Sequence, residues 1–364
     1  MLLVLIIVII KNNNTREGVV NCMAEYISDL LRDTFIESLE KELKEATNQE
    51  EADEIVKKFE ELDLSKIFAE MFIKTADDTT KYMRDTMHEE VMVFRAEEQE
   101  FQVIQEQKWG KAFVASESMY IMVLEATESY VESVNDLPQE RLKDHYYTFT
   151  AMQHIHGRAL QQYLEIITLM KNGFADGAYA RWRSMYELAI ISSFITRYGE
   201  AVAKAFIHSS ETEDRYEWAR ASGIFSAKKK YITFNDIQQR SDIGSTVWQR
   251  QYILANKTVH ASPQGTFARL GNMITANVIP VGRSDYGLTT PAEHSAISLA
   301  QITTLFFTIH SSGDSSIAIK YISNWIDVIR EIYFKTHDAL FPEVEKLWAD
   351  TMTSYENESN NDNS

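Results

Sequence analysis

Apolar positions in this chain recur every three to four residues over long stretches and rarely alternate. In AEYISDLLRDTFIESLEKELKEA, Ile27, Leu30, Leu31, Phe35 and Leu39 share one helical face. Residues 48–54, NQEEADE, read as a joint or a helix start. A second helix follows through IVKKFEELDLSKIFAEMFIKTADD, with a break expected near Asp63, and the pattern continues over 80–107. From Trp109 the polarity changes, and residues 110–134 read as an apolar helix ended by Asp136 and Pro138. The stretch 139–171 reads as one long helix closed by Asn172 and Gly173. The next helix spans 174–197, and Tyr198 and Gly199 stop it. A further helix runs through AVAKAFIHS.

Residues 211–245 are polar and weakly periodic, which predicts short helices and a surface excursion. Helix returns at 246–261, is broken by Pro263 and Gly265, and gives way to a loop over 271–291. Two last helices, 291–312 and 316–338, flank Ser311, Ser312, Gly313 and Asp314. The tail 346–364 is polar and is expected to be disordered. These elements predict an all-α protein, a multi-helix bundle with an acidic N-terminal helical region at 23–107 and a helical core domain at 108–345. No repeat of 30–50 residues is visible.

Composition sharpens this picture. Five prolines and 13 glycines in 364 residues suit long helices with short joints. The net charge is −18, and residues 23–107 hold 24 acidic against 10 basic side chains. That balance works against general nucleic-acid binding, which needs basic surface. Cys22 stands alone, so no internal disulfide or cysteine-cluster metal site is available, and a reducing cytoplasm is expected. The opening MLLVLIIVII is half the length of a membrane span and lacks the basic start of a secretory signal. Residues 1–22 are therefore expected to be an upstream extension with a natural start at Met23; a weak peripheral anchor is the alternative. Stable membrane insertion is not expected.

Candidate chemistry sits on two helices. In GAYARWRSMYELAIISSFITR, Arg183 and Glu187 are i, i+4 partners, with Tyr179 and Tyr186 on the same side. Such a pair either fixes helix register or belongs to a site. Arg181 lies on another face and reaches a cleft or solvent. In VWQRQYILANKTVHAS, Tyr252, Asn256 and His260 form a polar stripe at i, i+4 and i+8. His260 at the helix end caps backbone carbonyls or moves a proton near pH 7. His154 and His156 diverge by about 200° around their helix and cannot share one metal. With no metal-ligand spacing, no Gly-rich phosphate loop and no nucleophile elbow, no metal or cofactor is expected. Lys228, Lys229 and Lys230 read as a solvated basic run.

The segment G-x-x-x-G-A-x-A-R-W-R-S-M-Y-E-L-A, with NKTVHAS further on, resembles an uncharacterised bacterial helical family, a domain of unknown function. Some of its members lie near antiphage or toxin-type genes. The resemblance covers roughly 140–312 and rests on Gly177, Arg181, Arg183, Glu187, Tyr252 and His260. A wider resemblance is to HEPN ribonucleases, helical defence proteins whose motif places four to six residues between Arg and His. This chain departs from it: three residues separate Arg141 from His145, and nine separate Arg250 from His260. The leading expectation is a cytoplasmic partner-binding or sensing protein, with a place in antiphage defence implied by that resemblance, the acidic helices 23–107 as its interaction module and homo-oligomerisation through apolar faces. The alternative is a metal-independent RNase or toxin acting on RNA. There His260 would move the proton, with Arg183 and Glu187 beside it and Arg181, Tyr252 and Asn256 in binding roles.

Overall fold

The computed structural model describes residues 36, 39–60, 64–211, 215–243, 246–259, 263–267, 269–271 and 281–343. Among these residues there is no strand, and the protein is all-α. The apolar run 1–10, Cys22, His260 and the tail 346–364 lie outside the described residues, as does part of the 271–291 loop. No helix of the described residues is long and apolar enough to cross a membrane. The chain divides into two units, Met1–Ala96 and Glu97–Ser364.

In the first unit, α1 spans Gln49–Glu60. Its start is built locally. Asn48 Oδ1 accepts from Glu51 N at 2.9 Å, while the Glu51 carboxylate accepts from Thr47 N at 2.7 Å. These bonds satisfy donors that a helix N-terminus leaves open. The NQEEADE stretch is thus a helix start.

The helix α2 covers Leu64–Asn135, 72 residues without interruption. The polarity change at Trp109 is therefore a change of environment and not a helix end. Val103 and Ile104 are exposed, whereas Trp109, Phe113, Met119 and Val123 are fully buried. Gly110 does not break the helix, because a single glycine costs only about 1 kcal/mol relative to alanine.

In the second unit, α3 (Gln139–Lys143) and α4 (Tyr146–Lys171) replace the single helix expected over 139–171. The cause is tertiary. The Glu200 carboxylate accepts from Tyr147 N at 3.0 Å and from Thr148 N at 2.7 Å. A carboxylate from a distant element thus caps α4 from its first turn, where the helix dipole favours negative charge. The other end is local. Gly173 has φ +75°, Gly173 N donates to Met170 O, and Phe174 N donates to Leu169 O. This is the Schellman arrangement, and it needs glycine twice over. A Cβ on Gly173 would lie 2.6 Å from Phe101 Cζ and 2.8 Å from Ser284 O.

The chain then forms α5 (Ala175–Tyr198), α6 (Glu200–His208) and 3₁₀ turns at Ser209–Glu211 and Glu217–Ser222. After these come α7 (Phe234–Gln238), α8 (Thr246–Val259) and α9 (Pro263–Phe267), the last formed where Pro263 and Gly265 suggested only a break. The helices α10 (Thr289–Phe307) and α11 (Gly313–Leu340) finish the unit. Ser312 caps α11 by accepting from Ser315 N. At the centre is α5, against which α4, α8 and α10 pack; α10 also packs on α4 and α11. Trp182, Tyr186, Ile190 and Phe194 of α5 are fully buried, which accounts for its apolar run.

His154 is exposed and His156 is buried, as their divergence requires. Thr303 Oγ1 donates to Leu299 O at 2.8 Å, so it accepts from His156 Nε2 at 2.9 Å. That bond sets the tautomer and leaves Nδ1 without a partner. Burial drives His156 down to about 3, so its ring is neutral at pH 7.

Candidate functional site

Glu187 is the centre of the polar cluster. Being four residues apart on α5, Arg183 and Glu187 meet, with Arg183 Nη2 2.9 Å from Glu187 Oε1. Tyr252, from α8, donates to the same oxygen at 2.7 Å. Arg215, ahead of the second 3₁₀ turn, donates to Glu187 Oε2 at 3.0 Å. Both carboxylate oxygens are therefore engaged, by two guanidiniums and a phenol. The Glu187 side chain is 13% exposed and Arg183 23%, while Arg215 is 69% exposed. The cluster carries one net positive charge, presented outward by Arg215.

Aromatic rings surround it. The Arg183 guanidinium lies 5.5 Å from the centre of the Tyr252 ring. Tyr252 contacts Phe234 and Tyr186, each at 5.2 Å between ring centres. Tyr216 extends the series outward against Phe234, and Trp182 extends it inward against Tyr186. Gln238 donates to Tyr186 Oη at 2.8 Å. Burial, reinforced by the Glu187 carboxylate, pushes the Tyr252 phenol up to about 12. Tyr252 is thus a neutral hydrogen-bond donor at pH 7.

The inner end of the series is His294 of α10. Its ring stands edge-on to Trp182 at 4.8 Å and to Trp248 at 5.1 Å. Both ring nitrogens are buried without a well-formed hydrogen bond. Burial drives His294 down to about 4, against the opposing pull of the Glu293 charge and the Thr290 backbone.

The structure brings Arg183, Glu187 and Tyr252 together. Arg181 is elsewhere and pairs with Glu165 of α4. Burial alone would raise the Glu165 carboxyl, but the bonds from Arg181 outweigh it and hold the carboxyl below its ordinary value. Asn256 lies one turn beyond Tyr252, and its Oδ1 is buried without a hydrogen-bond partner. His260 lies outside the described residues. Tyr252 is seven residues before Val259, the last residue of α8, or about 10 Å along the axis. Of the basic run, Lys229 pairs with Asp236 at 2.7 Å and Lys230 sits over the Tyr231 ring. Among the described residues, no group of three or more His, Cys, Asp or Glu side chains is arranged to hold a metal ion.

Arg215, Gln238 and His294 carry no local sequence signal for these roles. Arg215 sits in the weakly periodic middle, 28 residues from Glu187.

Residues 149–231 match the model of a family of unknown function, DUF5677. The matched segment contains Arg181, Arg183, Glu187 and Arg215, and it ends before Tyr252. No curated protein and no solved structure matches the chain. The DUF5677 segment thus includes the carboxylate and both of its guanidinium partners, while the phenol comes from outside it.

Proposed function

We propose that this is a cytoplasmic partner-binding or sensing protein, with the acidic N-terminal helical region as its interaction module. The observation that carries this reading is the saturation of Glu187. A carboxylate that accepts from Arg183, Tyr252 and Arg215 joins α5, α8 and the segment before the second 3₁₀ turn. To act as a base it would have to surrender those bonds. The arrangement suits an anchor that holds three segments in register, with Arg215 offering its remaining N–H groups to an anionic group of a partner. The cytoplasmic setting rests on the solitary Cys22. A place in bacterial antiphage defence, and bacterial origin itself, rest on the family resemblance alone.

The RNase reading is favoured by one observation. The Tyr252–Glu187 bond places α8, which leads directly to His260, on the Arg183 face of α5. Two assays separate the readings. Wild type, His260→Ala and Arg183→Ala are expressed inducibly and followed by growth, and the purified proteins are incubated with labelled single-stranded RNA. The binding reading expects neither growth arrest nor RNA cleavage by wild type. RNA cleavage by wild type that is lost in both variants, each soluble and helical by circular dichroism, overturns it in favour of the RNase.

A further inference from the structure

The first unit exposes a line of side chains that an isolated helix has no reason to carry. On α2, Ile73, Ala76, Thr80, Met83, Met87, Val91 and Phe94 follow one another in six steps across 21 residues, a mean of 3.5. All seven are exposed, and the large apolar ones range from 38% for Val91 to 63% for Ile73. Val91 stands one place beyond the strict heptad position, which Glu90 holds. A spacing of 3.5 keeps an apolar seam on one side of a helix that supercoils with another helix, whereas burial in a globular core needs only a broad stripe. Contiguous apolar surface of this kind marks an interaction site.

The charges around the seam identify the occupant. Residues 23–107 as a whole are strongly acidic, which would call for a basic partner. The part of α2 that bears the seam is closer to balance: residues 73–94 hold three basic and five acidic side chains. That small excess opposes self-association only weakly, and a basic peptide is not required. Asp77 and Arg84 are exposed and border the same flank of the seam, one heptad apart. In an antiparallel pair related by a two-fold axis, Asp77 of one copy lies beside Arg84 of the other, and the reverse contact follows by symmetry. The same register sets Met83 against Thr80 and Met87 against Ala76, large against small on both sides of the axis.

We infer that residues 73–94 of α2 form an antiparallel two-helix coiled coil with the same segment of a second copy of this chain. This names the occupant of the interaction module proposed above and rests on that reading.

The test is sedimentation velocity on the full chain, with helicity followed by circular dichroism. Wild type is expected to be a dimer. Met83→Glu with Met87→Glu is expected to raise the dissociation constant about 100-fold, because the register sets each new carboxylate against Thr80 or Ala76 of the other copy, where it is buried without a partner charge. Both positions are solvent-exposed within one chain, so helicity is expected to stay unchanged. Asp77→Arg alone weakens the dimer about fivefold, and adding Arg84→Asp restores it, since the exchanged charges again face each other. A wild type that stays monomeric overturns the inference, as does a dimer indifferent to the Met83 and Met87 changes. A monomer whose Met83 and Met87 resist oxidation also overturns it, since the seam would then be covered within one chain. The RNA assay separates this inference from the reading beneath it: an RNA-inert monomer overturns only the coiled coil, and an RNA-cleaving dimer overturns only the binding function.

Discussion

Glu187 and Arg215 stand 28 residues apart in the chain, and their side chains meet at 3.0 Å. With Arg183 and Tyr252 on the other carboxylate oxygen, one glutamate ties the central helix to two later segments. A branched pairing of this kind makes its members unequal. Arg215 is mostly in water, whereas Arg183 and Glu187 are largely shielded, and the energetic weight falls on the shielded groups.

Glu187→Gln is therefore expected to cost about 2–3 kcal/mol, since it leaves the Arg183 charge shielded from water without a counter-charge. Arg215→Ala is expected to cost less than about 1 kcal/mol. Urea unfolding of the two variants measures the difference. Equal effects would show that the ion pairs contribute alike and that shielding is not what distinguishes them.

Tyr252→Phe removes one hydrogen bond to a charged acceptor and is expected to cost about 1–2 kcal/mol. In a double-mutant cycle with Glu187→Gln, the two changes should cost less together than the sum of each alone. Strict additivity would mean that the 2.7 Å contact contributes nothing in solution.

Two buried histidines set the response to acid. Burial holds His156 at about 3 and His294 at about 4. In the unfolded chain each gains a proton near pH 6.5. Below that pH the unfolded state binds more protons, so stability is fully present above pH 6.5 and is lost as the pH falls toward 4. The loss is on the order of 1 kcal/mol per pH unit for each histidine. Melting temperatures at pH 7, 6 and 5 should fall steadily for wild type and less steeply for His294→Phe. Parallel slopes for the two proteins would remove His294 from the account.

Glu200 caps α4 from outside it, through Tyr147 N and Thr148 N. Glu200→Ala is expected to cost about 1–2 kcal/mol. Hydrogen exchange should then quicken at those two amides before it does at the middle of α4. Unchanged exchange there would mean that water replaces the carboxylate without loss.

Gly287 has φ +82°, and a Cβ on it would lie 2.2 Å from Leu270 O. Gly287→Ala is expected to destabilise the protein by about 2 kcal/mol or more, as both the backbone conformation and the close approach exclude a side chain. Thermal melting of this variant beside Gly282→Ala checks the second cause. Gly282 also has positive φ but open space around it, so equal losses would leave the Leu270 contact without effect.

Local information was sufficient wherever the deciding interactions were local. The apolar spacing along LAIISSFI gave a buried helix face, Asn172 and Gly173 closed α4 through backbone geometry, and Arg183 met Glu187 because i and i+4 are neighbours on any helix. Tyr252 was legible as a member of a polar stripe, though not as a ligand of Glu187. The tertiary structure decided the rest. Continuous helix through Trp109 joined an exposed stretch to a buried one, because polarity reports surroundings and not backbone hydrogen bonding. The split of 139–171 came from Glu200, and the second guanidinium on Glu187 came from Arg215. A periodic pattern states which face of a helix is apolar. It holds no record of which distant side chain will meet that face, since such contacts depend on how helices far apart in sequence come to pack.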